Sequence, residues 1–286
     1  MYFIRKWKVK IGTFETTELR IKFEVDKSLV GSPNLLKLEI YNLKESNRNL
    51  IKNEYENIEL YAGYVDSMPL LFKGQLRTVS HLLVGTDWIT TIYAGDGALA
   101  LEKAKVNKTY PAGTSQETLV NSLIGELSSV GGIAKGRLEG IKECITKKKS
   151  LLKSMILSGG VKEWLDTLSK NCGFDYSVND GVIDTNTKDK PLNDEAMFLI
   201  SQKTGMIGSP EITEIGASVS VYLRGNLKLA RRFKIEALSA TLNIGNQYFR
   251  QVKKSVTDNP YMIQQIKHLG DSHDNDWKTE LVGKTY

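Results

Sequence analysis

The densest run of chemistry-bearing side chains is His268-Leu269-Gly270-Asp271-Ser272-His273-Asp274-Asn275-Asp276, where imidazoles and carboxylates stand within nine residues. Imidazole nitrogen with carboxylate oxygen suits zinc, and a carboxylate-rich loop suits calcium. The run lacks both the glycine and the distal glutamate of an EF-hand loop. Its Gly, Asp and Asn residues also lie between strand-like segments, where they build turns. The expectation is a turn that binds no metal.

A second candidate is basic. Between Gly131 and Lys153 stand seven basic residues, Lys135, Arg137, Lys142, Lys147, Lys148, Lys149 and Lys153, opposed only by Glu139 and Glu143. This stretch accounts for five of the six net positive charges of the chain, and the remainder is close to neutral. Blocks of like charge form solvated loops or meet polyanions. Lys142, Lys147, Lys148, Lys149 and Lys153 are therefore read as a polyanion- or partner-facing loop. No aromatic residue is interleaved with the lysines, which argues against a single-strand stacking platform.

Other motifs carry less. Gly131-Gly132-Ile133-Ala134-Lys135-Gly136-Arg137-Leu138 has glycines at P-loop spacing. It offers Arg where the phosphate-binding Lys belongs and Leu where the magnesium-binding hydroxyl belongs, and it follows a helix. No G-x-S-x-G elbow, H-E-x-x-H or G-x-G-x-x-G is present. His81 sits among strand residues and reads as structural, as do Trp164 and Cys172 on or beside an apolar helical face. No pair among the 33 acidic residues is selected for acid–base work. The sequence therefore predicts no enzyme and no cofactor.

The elements that would position these residues follow from periodicity. The 286 residues, 41% hydrophobic and 25% charged, suffice for two or three compact units with their own cores. No apolar run reaches the ~18 residues that cross a bilayer, and Met1 to Lys8 alternates apolar with basic residues unlike a signal peptide. A reducing cytoplasm is expected, since Cys144 and Cys172 cannot build a staple network.

Period-two alternation predicts strands at 35–41, 57–63, 71–79 and 88–94. Thr114-Ser115-Gln116-Glu117 reads as a capping box opening a helix with Leu119, Val120, Leu123, Ile124 and Leu127 on one stripe, ended by Gly131-Gly132. Val161, Trp164, Leu165 and Leu168 mark a second helix, stopping near Gly173. Asn179-Asp180-Gly181 predicts a hairpin turn, and 185–194 reads as a loop. Strands return at 218–223, 232–237 and 261–268. The fold class is α+β, mainly β, with two small β-barrel domains flanking a mixed α/β middle. The expected domains are 1–105, 106–200 and 201–286, with the last sharing strands with the others as one option.

Three patterns carry a resemblance. The first is Leu71-Phe72-Lys73-Gly74-Gln75-Leu76, then Tyr93-Ala94-Gly95-Asp96-Gly97-Ala98-Leu99 and the Gly113-Thr114-Ser115 helix start. The second is 203–210 (KTGMIGSP) leading into 216–227 (GASVSVYLRGNL). The third is 261–271 (YMIQQIKHLGD) followed by Trp277-Lys278-Thr279. In order and spacing the chain resembles the baseplate hub proteins of contractile phage tails, the late control gene D-like family, related to the N-terminal part of type VI secretion spikes. Relatives often have Asn-Pro where this chain has Gly225-Asn226-Leu227, so that turn differs.

The resemblance implies structural work in a virion tail baseplate assembled in the bacterial cytoplasm. It implies a homotrimer whose two β units per chain give a pseudo-sixfold ring. That ring would join a hexameric tail tube, or tube-initiator protein, to a trimeric central spike. The tape-measure protein and baseplate wedge are further implied partners, with DNA only as passing cargo. Another tail-tip or tube-adaptor structural protein is the alternative, and a tail-associated peptidoglycan hydrolase a more distant one.

Overall fold

Alternating side chains set the first strands, because period two puts one row of residues on the core face and the next in water. The computed structural model describes residues 4–29, 33–51, 54–141, 151, 153–192, 197–213, 215–237, 240–244, 247–251 and 260–286. The chain opens with β1 (Arg5–Ile11), β2 (Phe14–Thr16), β3 (Ile21–Ser28), β4 (Leu35–Tyr41), the short α1 (Glu45–Leu50), β5 (Asn57–Tyr64), β6 (Leu70–Val84) and β7 (Asp87–Gly95). In β4, Leu36, Leu38 and Ile40 are buried while the residues between them are not. Together with Phe23, Ile58, Leu60, Phe72 and Ile92 they make the first core, which also takes in Leu223 and Trp277 from far along the chain.

The middle of the chain contains α2 (Ala98–Lys103), β8 (Lys105–Tyr110), α3 (Gln116–Gly131), β9 (Ala134–Leu138), β10 (Met155–Gly160), α4 (Val161–Cys172), β11 (Phe174–Asn179) and β12 (Val182–Thr187). The predicted stripe of α3 is buried at all five positions, and a left-handed Gly132 closes the helix. The cap lies one residue later than the capping box suggests. The Thr114 hydroxyl donates to the Pro111 carbonyl at 2.8 Å, so Ser115 accepts the Thr118 N–H instead, at 3.1 Å. β8 pairs with β10, and β12 lies between β11 and β9. β12 reaches Thr187, so the segment expected to be a loop from 185 begins as strand. Trp164 is only partly buried at the rim of this core, its indole N–H on the Ser158 carbonyl at 3.0 Å.

The last third comprises β13 (Phe198–Ser201), β14 (Met206–Thr213), β15 (Gly216–Tyr222), β16 (Arg232–Glu236), β17 (Ala240–Ile244), β18 (Gln247–Gln251), β19 (Tyr261–Asp271) and β20 (Trp277–Lys284). Ile200, Val219, Val221, Phe233, Ile235, Met262, Ile266 and Leu281 anchor its core. The sheet does not close into two separate barrels. Its strands run β18-β17-β14-β15-β20-β19-β3-β4-β7-β6-β5-β1-β2, with β16 joining β13 to β19. The physical reason is the seam in the middle. β3 spends its outer edge on β19, pairing Lys22–Ser28 with Gln265–Asp271, so neither unit can use that edge to close on itself.

Within that order lies a repeat. β3-β4-β7-β6 and β14-β15-β20-β19 are the same four-stranded antiparallel arrangement, met in the same chain order. All seven residues of β4 pair with β7, and all seven of β15 pair with β20. β6 has a bulge between Leu76 and Thr78, and β19 has one between Ile263 and Gln265, in register with it. His81 Nδ1 meets the Thr90 hydroxyl directly opposite at 3.0 Å, and His268 Nδ1 meets Thr279 in the same way at 2.8 Å. Trp88 carries the Arg48 guanidinium at 4.1 Å, and its counterpart Trp277 carries Arg5 at 5.3 Å. A bulge re-aims a strand at a fixed point and is retained as a structural feature. Two such bulges in register mark two copies of one unit.

Candidate functional site: assembly surfaces

The predicted site residues separate. Lys142, Lys147, Lys148 and Lys149 lie outside the described residues, and Lys153 is exposed just before β10. Lys135 and Arg137 are not on a loop. They stand on β9, where the Lys135 ammonium donates to Asn121 Oδ1 at 2.7 Å and the Arg137 backbone N–H donates to the Asp184 carboxylate at 2.8 Å. Cys172 is buried and disulfide-bonded, which the expectation of a reducing compartment did not anticipate; Cys144 lies outside the described residues.

The His268–Asp276 run is split by the sheet. His268 is 1% exposed, and burial with the nearby Lys27 charge holds its imidazole down to about 3, hence neutral. Asp271 bonds the Arg20 guanidinium at 2.9 Å and the His273 N–H at 2.9 Å. Burial pushes its carboxyl up, but these partners pull it below the usual carboxylate range. Arg5 donates to the carbonyls of Asp271, Asp274 and Asn275, and Ser272 Oγ accepts from the Ile21 N–H at 3.0 Å. The turn is thus a clamp on β1 and β3. Trp277 just beyond it sends its indole N–H to the Gly63 carbonyl at 3.1 Å and packs edge-on against Phe23 and Trp7. Among the described residues, no three His, Cys, Asp or Glu gather around a point that would hold a metal.

A buried polar junction that the sequence did not reveal ties the middle unit to the sheet. The Asn179-Asp180-Gly181 turn has positive φ at Asp180 (54°) and Gly181 (82°), as a tight hairpin turn requires. It docks on residues after β3 and β7. Asn34 Nδ2 donates to the Val178 carbonyl at 2.6 Å and to Asn179 Oδ1 at 3.0 Å, while Asn34 Oδ1 accepts from the Ser28 N–H at 3.2 Å. The buried Lys27 ammonium reaches both Asp180 carboxylate oxygens at 3.0 Å. The Asp96 carboxyl accepts the Gly181 N–H at 3.0 Å and the Asp180 N–H. Burial and the neighbouring Asp180 push Asp96 up to about 7, against the pull of those N–H groups and Lys27. A cleft of about 420 Å³ opens beside the junction, with Lys27, Arg137, Asp180, Asp184, Lys228 and Arg231 on its walls. The arrangement locks units together; it does not pair a nucleophile with a base.

The outer edges carry a different signal. β5 leaves β6 after Gln75, and among the described residues no strand takes over the outer edge of the end of β6. There Leu82 and Val84 are 61% and 57% exposed, with Leu83 equally open. On the far unit, among the described residues, β17 pairs with β14 from Glu211 to Thr213, and Ile207 ahead of it is 37% exposed. An uncovered strand end with apolar side chains invites another chain. No helix among the described residues is long and apolar enough to cross a membrane.

Repeated sheets, a clamped seam and exposed apolar side chains at a strand end describe the fold, and solved structures agree on it. The chain superposes on a tail protein from Neisseria meningitidis MC58 with a TM-score of 0.65 at 8% identity, covering 99% of this chain and 97% of that one. It matches the 43 kDa tail protein of prophage MuSo2 from Shewanella oneidensis with a TM-score of 0.64 at 9% identity, over 98% of each chain. The E. coli c3393 protein, a type VI secretion component described as similar to T4 tail proteins gp27 and gp5, gives 0.66 at 10% identity. That match covers 97% of this chain and 76% of that one. No curated protein matches the sequence. The fold class is that of phage tail structural proteins and their secretion-system relatives. The family profile described as "Baseplate hub gp41" matches residues 14–279, and the chain belongs to that family.

Proposed function

We propose that this chain is a structural hub of a contractile tail baseplate, in which three copies form a pseudo-sixfold ring. One face of the ring meets a hexameric tail tube or its initiator, the other a trimeric central spike, and the bore passes DNA. The observation that carries this reading is the internal repeat, with its matched bulges and matched His–Thr pairs. A chain with two copies of one unit gives six equivalent units from three chains, which is what a three-to-six adaptor needs. In this reading the two β units at 1–105 and 201–286 become barrel-like only within the ring. The middle unit at 106–200, held by the Asn34–Asp96–Asp180 junction, faces outward. The Lys142–Lys153 segment then meets the wedge, the tape-measure protein or passing DNA, and the chain does no catalysis.

The test is solution mass followed by electron microscopy. Light scattering should give three times the chain mass of 32.0 kDa, and particle averages should show a ring with six similar lobes. A chain that stays monomeric with and without a trimeric spike partner would overturn the reading.

A further inference from the structure

The cleft of about 420 Å³ beside the buried junction takes a wall from each of the three units. Lys27 of β3 comes from the first. Gly136 and Arg137 of β9, Ser177 of β11, and Asp180 and Asp184 come from the middle unit. The segment 225–231, between β15 and β16, comes from the last. The volume lies within the roughly 300–1,000 Å³ of small-molecule sites. From this geometry we infer that the cleft binds a phosphate group, free or as the monoester of a small molecule. The inference goes beyond the hub reading and does not depend on it.

Charge is the first ground. Lys27, Arg137, Lys228 and Arg231 stand against Asp180 and Asp184, an excess of two positive charges. A phosphate monoester at neutral pH carries about −1.5 to −2. Lys27 sits deep, at 7% exposure. Its ammonium gives two N–H groups to the Asp180 oxygens at 3.0 Å, which neutralises that carboxylate and leaves a third N–H. Ser177 is also 7% exposed, and its Oγ accepts the Asn179 amide at 2.9 Å, which leaves the hydroxyl proton to donate. A phosphate has three acceptor oxygens and takes donors from several directions, which suits walls set by three units. A carboxylate offers two oxygens in one plane and suits them less.

The walls are fixed before a ligand arrives. At Gly136 an added Cβ would collide with the Asp184 carboxylate, and the Arg137 N–H holds that carboxylate at 2.8 Å. The register of β9 on β12 shifts between Ile183 and Thr185, and Asp184 is the residue at that shift. Gly225 lets the last segment lie against the first unit, since a Cβ there would come within 2.6 Å of Pro69 and 2.7 Å of Leu71. The Ala230 N–H donates to the Ile263 carbonyl at 3.0 Å, and the Arg231 carbonyl accepts the Ile263 N–H at 2.8 Å. Leu227 and Leu229 are buried in the core of the last third, so Lys228 between them is turned outward and exposed. Donors held in place in this way bind with a smaller ordering cost.

The experiment is calorimetric titration of the full chain, in a phosphate-free buffer near neutral pH, with inorganic phosphate, phenyl phosphate and malonate. Phosphate should bind saturably at one per chain, and the unfolding midpoint should rise with its concentration. Lys228→Ala, at an exposed position outside the core, should weaken binding on the order of tenfold and leave the midpoint of the ligand-free chain unchanged. Asp184→Asn keeps an oxygen for the Arg137 N–H while removing a negative charge, and should tighten binding by a similar factor. Lys44→Ala, at an exposed lysine away from the cleft, should do neither. Phenyl phosphate binding more tightly than phosphate upholds the site as one for a monoester, and equal binding upholds it as one for the free ion. Malonate binding as tightly as phosphate overturns the phosphate assignment. Absence of saturable binding at millimolar phosphate, or binding that neither Lys228→Ala nor Asp184→Asn changes, overturns the cleft as the site. Each of these failures leaves the hub reading standing.

Discussion

Asp96→Asn probes the junction that holds the middle unit, and its effect reverses with pH. In the folded chain Asp96 is 1% exposed, beside the Asp180 carboxylate, and its pKa is pushed up to about 7 from 3.8. A folded-state pKa above the unfolded one means that the folded chain holds the proton more tightly. The stabilisation is therefore complete below pH ~4 and is lost as pH rises through ~7. Every tenfold gain in proton affinity is worth about 1.4 kcal/mol, so a gain of roughly a thousandfold on folding gives a swing of about 4 kcal/mol. Asparagine cannot titrate and keeps one carbonyl for the two N–H groups of Asp180 and Gly181. At pH 4 the variant should be less stable by about 1–3 kcal/mol, the cost of one poorly satisfied buried group. By pH 8 that difference should vanish or change sign. Denaturant unfolding of both proteins from pH 4 to 8 measures it. His268 titrates in the opposite sense in both proteins and cancels in the difference. A stability difference that does not change with pH would refute the argument.

Other outcomes follow from the same contacts. Trp277→Ala should cost roughly 3–5 kcal/mol, because Trp277 is 4% exposed between Phe23 and Trp7. Trp88→Ala, at the equivalent but 38% exposed position, should cost under about half as much in the unassembled chain, measured by the same unfolding titration. The His268 imidazole should stay neutral in NMR titrations down to about pH 3. Stability tied to it is complete above the ordinary histidine value near pH 6.5 and falls as the medium is acidified toward pH 3. Replacing Lys147, Lys148 and Lys149 by serine should leave the thermal midpoint nearly unchanged; a fall of many degrees would show that these lysines carry fold.

Strand positions were legible because period two is a local signal. The segments read at 35–41, 88–94 and 261–268 correspond to β4, β7 and most of β19, and the Asn179-Asp180-Gly181 turn stands where it was expected. What the sequence hid was partnership. β19 finds β3 more than 230 residues away, and nothing in either strand's alternation names the other. The repeat was hidden too. The turn after β19 is longer than the one after β6, so His81 and Thr90 stand nine residues apart and His268 and Thr279 eleven. Leu36 is matched by Ala217, which shares only its burial. The junction escaped because Asn34, Asp96 and Asp180 lie on three segments, each ordinary alone. The four lysines at 142 and 147–149 were legible only as charge.

The clamp of the C-terminal turn on β1 and β3 sets a timetable for biosynthesis. The first core needs Trp277, and β3 needs the whole of β19 along its edge. A nascent chain halted before Tyr261 leaves Phe23, the Gly63 carbonyl and the β3 edge without the partners that β19 and Trp277 supply, however well its own first strands have paired. Contacts of such long sequence separation form late, since the loop between them must close first. The protein therefore completes its opening unit only when its last strands have left the ribosome. The order of synthesis thus delays the first core until the chain is nearly whole, and a chain cut before its last strands keeps a bare β3 edge.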